Sequence, residues 1–267
     1  MATMAASDSR VRADVRGLAL GRAQLAIELA RPWVLLAVYV ALAEGGHVLL
    51  AVPVAAAVCF AAFCQMHDAL HESLGLSKRG HDVVLMLSGQ ILLKSGHALK
   101  ATHLRHHGKC LGEDDPEGAP AHWSLRRVLF EGPFHILALR RDALRIAPRT
   151  RRIQIVETVM TALVLAGCVA AYVVWRSPTG LIYWGVAATI SAAMPLWAAY
   201  VPHRLAPRAP PVRAAASLAR IWTPVLSSFA YHHVHHAHPK VPTALLPDVA
   251  RILGAAGVEV HAHLHEH

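Results

Sequence analysis

Four long apolar stretches alternate with charged segments along the chain. They cover residues 33–43 together with the preceding 25–30, residues 48–66, residues 155–175 and residues 181–201. A helix that crosses the hydrocarbon core of a bilayer needs about 20 apolar residues, and about 17 are tolerated. The short polar segments EGGH (residues 44–47) and RSPTG (residues 176–180) join the stretches in pairs. The pattern predicts an all-α membrane protein with about four transmembrane helices in two hairpins.

A fifth apolar stretch, VVLMLSGQILL at residues 83–93, is too short to cross and contains a glycine and a glutamine. It favours an in-plane or re-entrant segment. We therefore divide the chain into an N-terminal segment (residues 1–32), a membrane domain (residues 33–246) and a C-terminal tail (residues 247–267).

The distribution of basic residues predicts an orientation. The chain is 55% hydrophobic and carries a formal net charge of +9. All but one of its 26 Lys and Arg residues lie on the same side of the four stretches as the N-terminus, and Arg176 is the exception. Such asymmetry indicates a cytoplasmic N-terminus. It also accounts for the charge without a nucleic-acid partner. The four cysteines form no CxxC pair, which argues against a disulfide framework or a zinc ribbon.

The histidines lie on the same predicted side as the N-terminus, and of the 20 only His47 falls on the opposite side. Three short segments space them at i, i+4 or at i, i+3, i+4, which places the imidazoles of each segment on one helix face. These histidine boxes are HDALH with His67 and His71, HLRHH with His103, His106 and His107, and HHVHH with His232, His235 and His236.

Eight imidazoles on one face of a membrane predict a site for two metal ions. Imidazole suits iron, zinc, copper and nickel. A structural zinc takes four ligands, so eight are too many for one ion and suit two ions with about four each. We expect a cytoplasmic helical cap that carries the three boxes.

The order HxxxH, HxxHH, HxxHH, interrupted by hydrophobic hairpins, resembles the membrane fatty acid desaturase superfamily over residues 33–246. That group includes acyl desaturases, acyl hydroxylases and carotenoid ketolases and hydroxylases. The resemblance implies two non-haem iron ions that activate O2 with electrons from an external carrier. No HPGG-type haem motif is present, so we expect a ferredoxin-like or cytochrome-like donor on another polypeptide. The segment YVPHR is similar to the YLPHR of carotenoid ketolases and implies His203 as a ninth ligand.

Residues beside the boxes are candidates to support the ligands. Metal-bound histidines usually donate their second N–H to a carboxylate or a carbonyl. His233 points about 100° away from its box, and His238 precedes a proline, which disfavours helical geometry. We treat His81, His97, His122 and His135, which lack box spacing, as ordinary residues. The supporting candidates are Asp68, Glu72, Asp114, Asp115, His233 and His238.

Three functions are compatible with these motifs. HHAHPKVPTALLP resembles the HHxxPxxP ending of desaturases, and we expect acyl-lipid desaturation, the commonest role of this architecture, as the first interpretation. HDALH, YVPHR and HxxHHxHP are closer to carotenoid ring ketolases or hydroxylases, although TALL (residues 243–246) replaces the aromatic pair of ketolases. A membrane metal-binding protein without catalysis would explain the histidines but not their spacing. The substrate is expected to be a lipid or a carotenoid in the bilayer.

Overall fold

Four helices have the length and composition needed to cross a membrane. The computed structural model describes residue 11 and residues 13–205, 209–219 and 223–257. Within these ranges the elements are helices and turns without strands. The four candidate spans are Arg22–Glu44, Val48–Leu70, Pro148–Trp175 and Thr179–Arg204. The predicted all-α membrane fold with two hairpins is confirmed.

The first hairpin consists of α1 (Arg22–Glu44) and α2 (Val48–Leu70). Gly46 adopts a φ of +81° in the turn between them, a conformation that glycine reaches without steric cost. Pro32 lies inside α1 and removes one backbone donor from it. The Gln65 amide of α2 donates to the carbonyls of Glu28 and Leu29 at 3.1 and 2.9 Å, which compensates this defect. The hairpin is therefore joined by polar contacts as well as by apolar packing.

The second hairpin consists of α6 (Arg151–Trp175) and α7 (Thr179–Ala192). The fourth span continues beyond α7 as a π-helix, Pro195–Tyr200, and ends in the short helix α8, Val201–Arg204. π-Helical turns are rare and are often found at functional sites. Here the π-helix ends directly before the helical turn that carries His203.

The central span is α2, which supplies eight of the 17 buried residues that form the first apolar core in the described part of the chain. Ala51, Ala55, Val58 and Ala62 are fully buried and face neighbouring helices. Helix α6 differs from α2, because only two of its residues, Gln154 and Glu157, are buried. A bilayer is as apolar as these exposed side chains, so α6 forms part of the lipid-facing surface.

The remaining helices form a cap at the end of the spans where the boxes lie. The segment predicted as in-plane or re-entrant is the 14-residue helix α3, Lys78–Ile91, which is not among the candidate spans. The other cap helices are α4 (Gly96–Lys109), α5 (Leu125–Ile146), α9 (Pro210–Leu218), α10 (Thr223–Ala230), α11 (His232–Ala237) and α12 (Leu246–Ala255).

A second apolar core holds the cap to the N-terminal segment. Val15 packs in one cluster with Val234 of the third box and with Val249 of α12. The predicted C-terminal tail therefore contains a packed helix at its start. The tail histidines His261, His263, His265 and His267 lie outside the described residues.

Candidate metal centre

Four separate helices bring the predicted ligands to one place. His67 lies in the last turn of α2 and His71 caps its C-terminal end. The second box lies on α4. Ser95 caps the N-terminal end of this helix, and its hydroxyl accepts a hydrogen bond from the Ala98 N–H at 3.0 Å. α8 contributes His203, and the third box lies on α11. Each helix end thus presents imidazoles toward the same interior space.

The first group of histidines joins all three boxes. One ring nitrogen of each member lies within 4.8 Å of one nitrogen of every other member, and all four residues are buried. His67 and His235 have ring centroids 4.3 Å apart, and His71 and His103 have centroids 5.0 Å apart. This group, called group one below, consists of His67, His71, His103 and His235.

The second group has the same size and compactness. It consists of His106, His203, His232 and His236. The Nε2 atom of His203 lies 3.1 Å from that of His106 and 3.1 Å from that of His232. The Nε2 atom of His232 lies a further 3.1 Å from that of His236. In group two, therefore, the same nitrogen of every ring points inward.

His107 lies between the two groups. Its Nε2 atom is 3.2 Å from the Nε2 of His103 and 2.9 Å from the Nε2 of His235, both of group one. Its ring also stacks on the ring of His236 of group two, with centroids 4.4 Å apart. The distances from Nε2 place His107 as a fifth imidazole beside group one, so all nine predicted ligands are brought together.

The nitrogen–nitrogen distances fit metal coordination. With ring nitrogens about 2.1 Å from an ion, two ligands at angles of 90–109° are separated by about 2.9–3.4 Å. The measured Nε2–Nε2 distances run from 2.9 to 3.2 Å. Packing neutral nitrogens this closely without an ion would leave several lone pairs facing each other. The arrangement therefore fits two ions better than a packed histidine core.

Two carboxylates hold ligand rings from behind. The Nδ1 atom of His106 lies 2.6 Å from Asp115, and the Nδ1 atom of His103 lies 2.6 Å from Glu117. An N–H donated at Nδ1 leaves the Nε2 lone pair for a metal. Asp115 was among the residues expected beside the ligands, whereas Glu117 was not.

Asp115 is itself fixed by the backbone of its loop. It accepts hydrogen bonds from the N–H groups of Leu111 and Gly118 at 2.8 and 2.9 Å. A Cβ atom at Gly118 would lie 2.2 Å from the carboxylate. The loop following the second box thus requires glycine at this position because the carboxylate occupies the space.

Asp68 lies behind the first box. Its Oδ1 atom is 3.9 Å from Nδ1 of His67 and accepts hydrogen bonds from the Thr243 N–H at 2.9 Å and from the Thr243 hydroxyl at 2.5 Å. The carboxylate therefore ties α2 to the chain that follows the third box. This contact involves the first residue of the TALL segment.

The structure gives the other supporting candidates different partners. Glu72 binds Lys100 at 2.9 Å, and Asp114 lies 3.3 Å from Arg105, without a contact to a box histidine among the described residues. His233 is half-buried on α11, and His238 caps the C-terminal end of that helix. The backbone of the acidic loop explains why Asp115 and Asp114 have different partners. Leu111 has a φ of +61°, and the turn that follows points Asp115 inward and Asp114 outward.

The surroundings keep the imidazoles neutral in most positions. Burial, together with the neighbouring imidazoles, lowers the pKa of His103, His232, His235 and His236 well below the usual value, and that of His107 to about 3. Burial also opposes the charged form of His106, but the hydrogen bond to Asp115 and the charges of Glu117 and Asp115 outweigh it and raise the pKa of His106. Neutral imidazole is the form that binds metals.

A buried carboxylate in the third span was missed by the sequence reasoning. Glu157 of α6 is fully buried and accepts hydrogen bonds from the Ser95 hydroxyl at 2.5 Å and from Nδ1 of His97 at 2.7 Å. His97, interpreted as an ordinary residue, thus joins α4 to a membrane span. A lone acidic residue in an apolar stretch is the signal that would have identified this contact.

Comparison with known proteins agrees with this geometry. The family model for fatty acid desaturases matches residues 43–267. A beta-carotene ketolase from Paracoccus sp. (strain N81106 / MBIC 01143) is 29% identical over 198 residues, which is 69% of this chain and 72% of that protein. No solved structure matches the chain. The histidine centre, the four candidate spans and the family match lead to one conclusion: this protein belongs to the fatty acid desaturase family.

Proposed function

We propose that the chain is a membrane enzyme that uses two iron ions and O2 to oxidise a C–H bond of a hydrophobic substrate. The observation that carries the proposal is the pair of compact histidine groups, each with four inward-facing donors. His67, His71, His103, His107 and His235 would hold one ion, and His106, His203, His232 and His236 the other. Bound iron supplies the O2-dependent oxidising power that amino-acid side chains lack.

The chain's own residues orient the ligands and exclude water. Asp115 and Glu117 accept the Nδ1 protons of His106 and His103 and fix the angle of both rings. The group-one histidines are buried, so bulk water is kept from that half of the centre.

An apolar cleft reaches the carboxylate behind the second box. Glu117 forms part of its wall, and Ile136, Leu139, Met194 and Ala198 are among its apolar lining residues. Its volume is about 10 Å³, roughly what one water molecule needs, so a hydrocarbon substrate enters only if these side chains move. The apolar lining is the feature that favours a hydrocarbon over a polar metabolite.

For the substrate class we propose a carotenoid ring and ketolation as the reaction. The similarity to a beta-carotene ketolase extends over most of both chains, and the YVPHR motif supplies a histidine to group two. The departure at TALL is not an argument against this assignment. Leu245 and Leu246 pack in the second apolar core, and Thr243 binds Asp68, so this segment serves the packing of the cap.

Acyl-lipid desaturation is the second candidate. It is favoured by the HHxxPxxP ending, whose residues Pro239 and Pro242 follow the third box, and by the family to which the chain belongs. Both reactions begin by removing hydrogen from a C–H bond, so the same histidine centre serves either one.

Pigment and lipid profiling of a host that makes β-carotene and expresses the chain tests both candidates. New keto-carotenoids support ketolation, and new double bonds in acyl chains support desaturation. A variant with His235→Ala at equal membrane abundance is the control, since it should give neither product. Bound metal without any new product would instead support the non-catalytic metal-binding protein.

We further propose that the N-terminus and the histidine centre face the cytoplasm, where an external ferredoxin-like or cytochrome-like protein delivers electrons. Cysteines introduced at Glu113 near the second box and at Ser177 between α6 and α7 test the orientation. An impermeant thiol reagent should label Ser177→Cys in intact cells and Glu113→Cys only after the membrane is opened. The reverse pattern would place the centre on the outer side.

A further inference from the structure

Helix α5 carries apolar side chains on the face that points away from the protein. Phe130, Phe134 and Leu137 are 71%, 69% and 67% exposed. Their spacing of four and three residues places them on one stripe of the helix. Val128 and Leu139 lie on the opposite, buried face. A helix that is apolar on both sides requires an apolar environment on each of them.

The position of α5 along the membrane normal identifies that environment. A Cβ atom at Gly132 would lie 3.5 Å from Cβ of Pro195, so the middle of α5 packs beside the fourth span. Pro195 follows Thr179, the far end of that span, by 16 residues. At 1.5 Å per residue the separation is about 24 Å, whereas the hydrocarbon core is about 30 Å thick. The middle of α5 therefore lies near the boundary between hydrocarbon and headgroups.

The connection to the third span places the end of α5 beside the lipid-facing surface. α5 ends at Ile146, and a single 3₁₀ turn separates it from α6, which begins at Arg151. The first turns of α6 expose Ile155 and Val159 by 50% and 51%. The C-terminal end of α5 is thus joined by a short connection to a helix whose exposed surface lipid covers.

The charges on α5 indicate which lipids it meets. The helix contains five arginines against two acidic residues, Glu131 and Asp142. Arg141 and Arg145 are 64% and 70% exposed, and both lie only 3.6 Å from the same Asp142. One carboxylate does not balance two guanidinium groups. Long arginine side chains beside an apolar stripe are typical of helices that lie on anionic membranes.

We propose that α5 lies in the plane of the membrane on the side of the histidine centre. Phe130, Phe134 and Leu137 enter the leaflet, and Arg141 and Arg145 bind the phosphates of anionic lipids. The proposal extends beyond the catalytic assignment, because it concerns the lipid-binding surface and holds whichever substrate the enzyme oxidises.

Spin labels in the full chain, reconstituted in lipid nanodiscs, test the insertion. The labels are attached to Phe134→Cys and, as the matched control three residues earlier, to Glu131→Cys, with Cys110 and Cys168 replaced by serine. Oxygen should relax the label at 134 severalfold more than a water-soluble nickel complex does, and the label at 131 should show the reverse. Access of the nickel complex to both labels would overturn the proposal. A label at 134 shielded from both reagents would also overturn it, because a protein or a second copy would then cover the stripe.

Lipid composition tests the charge. Adding phosphatidylglycerol to phosphatidylcholine nanodiscs should shift the label at 134 toward greater oxygen access, and the double variant Arg141→Gln, Arg145→Gln should abolish that shift. An unchanged profile in both lipids would overturn the assignment to an anionic surface. Retained helical content and a monodisperse elution profile show that each variant is folded.

Discussion

The two halves of the histidine centre are held in different ways. In group one, His67 and His235 each have a buried Nδ1 atom without a hydrogen-bond partner. Asp68 lies 3.9 Å from that atom of His67, and of the four rings only His103 donates a hydrogen bond to a carboxylate. In group two, Asp115 binds His106 and is itself bound by two backbone N–H groups. Group one therefore depends on ring packing, and group two depends on a carboxylate fixed by the backbone. The comparison teaches that a similar number of ligands can be held in place by different means.

Loss of one ligand from group one should give the largest effect. His235→Ala removes an imidazole near His67, His71 and His107 and leaves a gap that no side chain fills. We expect activity to be abolished and the ion of group one to be bound more weakly, because the variant leaves an open position beside His67, His71, His103 and His107. Loss of a residue that only supports a ligand already costs about 10–100-fold in metal affinity or activity. Product formation and metal analysis at equal membrane abundance measure both. His263→Ala in the tail should leave both unchanged, and full activity of His235→Ala would disprove the assigned centre.

Neutralising the carboxylate of group two should give the next largest effect. Asp115→Asn keeps the size of the side chain but introduces an NH2 group. Both carboxylate oxygens accept hydrogen bonds, from His106, Leu111 and Gly118, so the NH2 must face a donor whichever way the amide turns. We expect a loss of about 10–100-fold in metal affinity or activity. Metal titration of the purified variant measures it, and unchanged affinity would mean that His106 needs no carboxylate.

The membrane spans and the ligand-bearing helix faces were largely predictable from the sequence, because local periodicity determines both. Runs of apolar residues gave the spans, and the i, i+3, i+4 spacing gave the ligand faces of α4 and α11. The supporting residues were not predictable in the same way. Which acidic residue of GEDDPEG faces a ring depends on the left-handed turn at Leu111, and no spacing rule reports that turn. Glu117 reaches His103 across 14 residues for the same reason.

Adding a methyl group behind Asp115 should disturb group two without changing any ligand. In Gly118→Ala the new Cβ would lie 2.2 Å from Asp115 Oδ2, so the carboxylate must move away from His106. Overpacking of this kind costs about 1–3 kcal/mol, and we expect a lower Tm and weaker metal binding. Gly167→Ala in α6 is the matched control, since no atom lies within 4 Å of its Cβ position. Equal Tm values for the two variants would contradict the tight loop.

Neutralising the carboxylate of group one should have the smallest effect of the four. In Glu117→Gln the amide oxygen still accepts the Nδ1 proton of His103, and the new NH2 group faces the Thr102 hydroxyl. A hydroxyl can donate or accept a hydrogen bond, so the Thr102 hydroxyl can rotate and accept one from the new amide. The backbone N–H groups around Asp115 can only donate. We expect a loss of activity clearly smaller than that of Asp115→Asn, with metal content near that of the unmodified protein. Side-by-side metal titration and product assays compare the two variants. If Glu117→Gln were as damaging as Asp115→Asn, the charge of each carboxylate rather than its hydrogen-bond geometry would determine how the two halves are held.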